Sequence, residues 1–199
     1  MKMKYFIASI LLALTFSGCN ILVSNDYEYS TLNRQNVKNI VGTVLRSQLV
    51  IEDASSKNPK NYAELDGHLS SIYDYDTYSD NLYVYSSTNS IWLSEQGYRT
   101  ILLKNMTYEY RGDGYSYNYT YDGTINNTII GIIDFETVKK FYGESGFNPD
   151  SGSLRITDNN GITIYLDVID EYYVDITMYN KYKNIDGIVY EMSWIELGF

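Results

Sequence analysis

The stretch SLRITDNNGITIYL, Ser153 to Leu166, decides how the chain folds. Asn160-Gly161 suggests a two-residue hairpin turn of type I′. That register pairs Ile156 with Tyr165 and Leu154 with Asp167. A three-residue loop, Asn159 to Gly161, instead pairs Ile156 with Ile164 and Leu154 with Leu166. A slip of one residue turns every side chain to the other face, so the apolar pattern selects the register. The three-residue loop keeps the apolar residues together, with Gly161 left-handed.

The same period of two continues on both sides. Ile162, Ile164, Leu166 and Val168 alternate with polar or mixed positions, as do Tyr172, Val174, Ile176 and Met178. Ile188, Tyr190, Met192 and Trp194 repeat the pattern. Such alternation marks antiparallel strands with one apolar and one wetted face. From Gly67 onward the sequence predicts about nine or ten strands. Before them, Ser30 to Val50 reads as a helix. Val37, Ile40, Val41, Val44, Leu45 and Leu49 form its apolar stripe, and Ser30 or Thr31 is the expected cap. Gly42 weakens its interior by up to about 1 kcal/mol. Glu52 to Asn61 reads as a polar loop. The expected fold is α+β, with the N-terminal helix packed on a long curved antiparallel meander. The alternatives are a β-sandwich or a closed barrel.

The first residues carry an address. Lys2 and Lys4 precede an apolar run, Tyr5 to Phe16, that is shorter than the roughly 20 residues of a spanning helix. It fits a secretory signal. The segment ends in Phe16-Ser17-Gly18-Cys19, which resembles the lipobox of bacterial lipoproteins. The resemblance implies cleavage before Cys19 and acylation of its thiol, palmitate included. Phe16 departs from the commoner leucine. Residues 1–18 are then the signal peptide, 19–29 the lipidated cysteine and tether, and 30–199 a single domain. Asn20 is not the aspartate that retains such proteins in the inner membrane of enteric bacteria, so the expected address is the outer membrane. Cys19 is the only cysteine, and lipidation explains a lone thiol in an oxidising compartment. The C-terminal half, from SGSLRITDNNG to DGIVYEMSWIEL, resembles envelope lipoproteins of unassigned function.

Composition narrows the partners. The formal charge is −10 and becomes −12 without Lys2 and Lys4. Nucleic acid is therefore not an expected partner, because binding it requires a basic patch. One histidine and one cysteine exclude the usual zinc sites and a Cys–His nucleophile within the domain. Neither a metal nor another cofactor is expected. His68, in LDGHLSS, reads as a surface residue at a strand start. Asp74 to Asn81, DYDTYSDN, fails the EF-hand pattern at Tyr78, Ser79 and Tyr85. Arg111-Gly112-Asp113 spells an adhesion tripeptide, but RGDG is also good turn chemistry.

Met106 to Gly123, MTYEYRGDGYSYNYTYDG, holds six of the 23 tyrosines. Pairing Tyr110 with Tyr115 across a four-residue loop puts Tyr108 opposite Tyr117 and Met106 opposite Tyr119. Tyr121 joins the same face. Six buried hydroxyls would each need a partner, so a partly exposed or cavity-lining face is expected, the alternative being a structural wall that is simply core at a sheet margin. Tyr108, Tyr110, Tyr115, Tyr117, Tyr119 and Tyr121 are the candidate ligand or partner surface. The expected function is non-enzymatic: binding or structure at the envelope, on a membrane held through Cys19. Candidate ligands are an envelope protein, an apolar molecule in a half-barrel cavity, or a glycan on a tyrosine platform. The glycan reading extends to glycoside processing by paired carboxylates, though no pair stands out.

Overall fold

The computed structural model describes residues 34–55, 65–95, 98–127, 130–181 and 185–199. The signal, Cys19, the tether and the cap candidates Ser30 and Thr31 lie outside these. Helix α1 spans Arg34–Ser55, so Glu52 to Ser55 are helical rather than loop. Val37, Ile40, Val41, Val44, Leu45 and Ile51 are buried. Leu49, expected in the stripe, is 39% exposed instead. Gly42 marks a close approach: a Cβ there would lie 3.3 Å from the carbonyl oxygen of Leu197.

Among the described residues ten strands follow: β1 (Leu65–Gly67), β2 (Ser70–Asp76), β3 (Asn81–Glu95), β4 (Tyr98–Gly112) and β5 (Ser116–Asn127), then β6 (Gly131–Glu144), β7 (Ser151–Asp158), β8 (Ile162–Val168), β9 (Tyr173–Asn180) and β10 (Ile185–Ser193). All belong to one antiparallel sheet. From β3 to β10 each strand pairs with the next in sequence, and β1 and β2 share the outer edge of β3. His68 sits exposed between β1 and β2, and its carbonyl accepts a hydrogen bond from Thr88 Oγ1 at 2.7 Å. The sheet, expected to be curved, is open and uncurled, and it is neither a closed barrel nor a sandwich. Helix α1 lies against the β2–β4 part of it. Trp194, expected in a strand, opens α2 (Trp194–Leu197), capped by Ser193. Among the described residues, no helix is long and apolar enough to cross a membrane.

The β7–β8 hairpin takes the apolar register. Ile156 faces Ile164 and Leu154 faces Leu166. Gly161 has φ 79°. Asp158 Oδ1 accepts from the backbone N–H of Asn160 and Ile162, at 2.9 and 2.8 Å, and so fixes the loop. The same device recurs at Asp76, Asp113 and Asp170. Part of the chain's acidity is thus turn chemistry. In Asp74 to Asn81, Asp76 holds its own turn through Tyr78 and Ser79.

Helix and sheet are joined by polar as well as apolar contacts. Ser47 Oγ bonds the Tyr121 hydroxyl at 2.9 Å, and the hydroxyls of Ser55 and Ser86 bond each other. The β5–β6 ladder slips between Tyr119 and Gly123. Thr137 Oγ1 repairs the gap by accepting from Tyr121 N at 2.7 Å and donating to Tyr121 O at 3.0 Å. Asp122 Oδ1 accepts from Thr137 N at 2.7 Å.

Burial raises the Asp122 carboxyl above the ordinary aspartate range, against the Thr137 hydrogen bond that lowers it; nearby Glu136 adds to the rise. A raised carboxyl pKa penalises the folded state once pH passes the unfolded value of about 3.9. Asp122→Asn keeps an acceptor for Thr137 and loses the charge. Its melting temperature relative to the parent should therefore rise as pH is raised from below that unfolded value through the folded-state value, and level off above it. A relative melting temperature that falls over that interval would contradict the assignment.

Candidate functional site

The tyrosine hairpin forms in a different register from the expected one. Tyr110 faces Tyr119, Tyr108 faces Tyr121, and Gly112 faces Tyr117. Relative to the expectation, each pair has moved by an even number of residues, so the shared face survives. The cause is the turn. Asp113 Oδ1 accepts from the N–H of Tyr115 and Ser116, at 3.1 and 2.8 Å, and Asp113 N donates to Ser116 O. These bonds hold the Asp113 carboxyl below its ordinary range. They place Tyr115 in the loop tip, 85% exposed and off the wall. The tripeptide's side chains are engaged locally: Asp113 closes the turn, while Arg111 bonds Glu109 at 2.9 Å and lies over the Tyr83 ring.

The other five tyrosines do not form one half-wet surface. Tyr108, Tyr119 and Tyr121 are buried, while Tyr110 and Tyr117 are half-buried. Tyr121 satisfies its hydroxyl on Ser47. The Tyr108 hydroxyl is buried without a protein hydrogen-bond partner. Gln48 influences it, but its Nε2 is held by Glu52 Oε2 at 2.7 Å, and no bond of acceptable geometry reaches Tyr108.

The rings stack into a row. Tyr110 to Tyr117 measures 5.9 Å between centroids, Tyr117 to Tyr119 6.2 Å, and Tyr119 to Phe141 4.8 Å, each within 15° of parallel. Glycines make room for it. A Cβ on Gly112 would meet the Tyr110 hydroxyl at 2.9 Å, and one on Gly143 the Tyr117 hydroxyl at 2.7 Å. Neither substitution is free while these rings lie flat on the sheet.

One end of the row opens into a groove of about 310 Å³. Tyr110, Tyr117 and Tyr119 form its floor, and Gln48, Leu49 and Glu52 of α1 one wall. The loop Ser145 to Pro149 and the ring of Phe199 complete it. Tyr117 donates its hydroxyl to Phe147 O at 2.8 Å, which ties loop to floor. Asn148 Nδ2 donates to Glu171 O at 3.1 Å. Burial raises the phenols of Tyr108, Tyr110, Tyr117 and Tyr119 above their ordinary range, and the Glu52 carboxylate adds to this. The groove phenols stay neutral at physiological pH.

Sequence reading found the floor and missed the walls. Gln48 and Glu52 are one helical turn apart, a signal that carries weight only once the helix is known to continue past Val50. The loop and Phe199 are distant in sequence from the hairpin and have no local signature linking them to it. Neither a family model, nor a curated protein, nor a solved structure matches the chain.

Proposed function

We propose that the chain is a lipid-anchored protein of the bacterial cell envelope that binds a ligand in the tyrosine groove without transforming it. The groove carries this reading: three tyrosines, a carboxylate and a tethered loop converge on one open concavity. The lipobox at Phe16 to Cys19 supports the anchor. The outer membrane is the proposed address, Asn20 being no retention aspartate. Arg34 joins Glu196 through a paired contact at 3.1 and 2.7 Å, so the described chain begins beside α2. Cys19 lies fifteen residues earlier, a reach of at most about 54 Å at 3.3–3.6 Å per residue.

The apolar-carrier reading has less support, because the face between α1 and the sheet is filled by side chains such as Val41, Val44, Leu103 and Ile125. The glycan platform also weakens. Sugars stack on free ring faces, and these rings stack largely on one another.

Native mass spectrometry of the full chain, extracted gently from its host's envelope, tests both halves of the proposal. The parent should carry an acyl mass and a ligand mass. Cys19→Ser should lose the first and keep the second. Acyl mass on Cys19→Ser would refute the anchor. Absence of ligand mass from both chains would refute a retained ligand.

A further inference from the structure

Four turns and α2 meet at one end of the sheet, and a chain of contacts joins them. The β2–β3 and β4–β5 turns touch: a Cβ on Gly114 would stand 3.2 Å from the Asp80 Cβ. Ser145 N donates to Tyr115 O at 2.9 Å and joins the β4–β5 turn to the β6–β7 loop. Asn148 Nδ2 donates to Glu171 O at 3.1 Å, which reaches the β8–β9 turn. Trp194 N donates to Tyr172 O at 3.0 Å and brings in α2. Each of the five presents a large apolar or aromatic side chain to solvent: Tyr78, Tyr115, Phe147, Tyr172 and Ile195, from 57% to 99% exposed. The opposite end, among the described residues, is unlike it. The β7–β8 tip exposes Asn159 and Asn160, and Ile130 in the β5–β6 turn is buried.

Exposed apolar residues scattered singly need no explanation. A row of them at one end does, and that end also receives the tether. Arg34 pairs with Glu196, the neighbour of Ile195, and only fifteen residues separate Arg34 from Cys19. Resting on the anchor half of the reading above, we infer that this end of the sheet seats on the bilayer surface, with the five side chains dipped into the headgroup layer. Tyrosine suits that layer, since its ring is apolar and its hydroxyl stays wet. The contact is not electrostatic. The same turns carry Asp76, Asp113, Asp170 and Glu171, while Arg34 and Arg111 are each paired with a glutamate. The surface it fits is therefore zwitterionic, because anionic headgroups would repel those carboxylates. Acyl chains alone hold the domain at the end of a tether, and a second contact fixes its orientation.

The test is fluorescence quenching on the full lipidated chain in phosphatidylcholine vesicles whose headgroups carry a nitroxide. Acylation blocks the Cys19 thiol, so Tyr115→Cys, Ile195→Cys and Asn159→Cys each take one thiol-reactive fluorophore at the new position. The eight residues of β7 put about 25 Å between Asn159 and the tips. The Tyr115 and Ile195 labels should be quenched several-fold more than the Asn159 label. Phe147→Ser with Tyr172→Ser, both exposed positions, should bring quenching at Tyr115 down toward that at Asn159. Replacing half of the phosphatidylcholine with phosphatidylglycerol should weaken quenching at both tips. Equal quenching of all three labels would overturn the seating and leave the anchor standing. Tip quenching untouched by the double substitution would overturn the apolar contact. Tip labels that vesicles leave unquenched but a host envelope extract shields from iodide would overturn the bilayer and identify a protein surface. Label taken up by the parent chain, whose only thiol is Cys19, would refute the anchor and this inference with it.

Discussion

Tyr108→Ala should cost about 3–5 kcal/mol, the range for emptying a buried aromatic position, while Tyr108→Phe should cost nothing or stabilise the fold by about 1 kcal/mol. The ring is fully buried on β4 and packs against Tyr119 at 6.2 Å and Tyr121 at 6.4 Å. Removing it leaves a cavity between α1 and the sheet. The hydroxyl is another matter. It is buried without a protein partner, so the native state bears its desolvation cost without a compensating bond. Denaturant melts of the two variants separate ring from hydroxyl. If Tyr108→Phe loses as much stability as Tyr108→Ala, the hydroxyl makes a bond that this structure does not contain. Tyr121→Phe is the internal contrast, because it removes a hydroxyl that Ser47 satisfies.

Depth, rather than face, separates the tyrosines. An argument from hydroxyl satisfaction predicts a wet face for six tyrosines. The structure divides them by depth instead: Tyr108, Tyr119 and Tyr121 are core, Tyr110 and Tyr117 border the groove, and Tyr115 is a loop tip. The period of two puts all six on one face; five stay there because an even register error leaves a face unchanged, and Tyr115 leaves it for the loop tip. Depth was not legible because it depends on what lies over the sheet. That covering includes Gln48 and Glu52, at the end of a helix that outruns its apolar stripe. The β7–β8 hairpin was legible in full, because its two candidate registers differ by one residue and only one matches apolar to apolar. The Tyr hairpin offered no such contrast, since tyrosine faced tyrosine or another tolerable partner in either register. There Asp113 decided through backbone hydrogen bonds that hydropathy does not report.

Gly152→Ala should cost about 2–5 kcal/mol, from overpacking and backbone strain together. Gly152 has φ 137° and lies where the β6–β7 ladder shifts register, between the pairs Lys139–Ser153 and Tyr142–Ser151. A Cβ there would stand 2.7 Å from both Cα and Cδ1 of Phe141. A side-chain tip can swing away, but a Cα belongs to the neighbouring strand and moves only with it. Gly146→Ala is the matched control: φ is 89°, yet no heavy atom lies within 4 Å of the added carbon. It should lose only the cost of a left-handed alanine, about 1–2 kcal/mol. Equal losses in the two variants would show that conformation rather than contact sets the requirement at Gly152. The larger loss has a second consequence, because Phe141 stacks on Tyr119 and Tyr119 on Tyr117. An atom inserted behind Phe141 pushes along that row toward the groove. Gly152→Ala should therefore weaken ligand retention in the groove even where most of the protein remains folded. Gly146→Ala, although it lies in the groove's own loop, should weaken it less if the stacked row rather than the loop fixes the groove's shape.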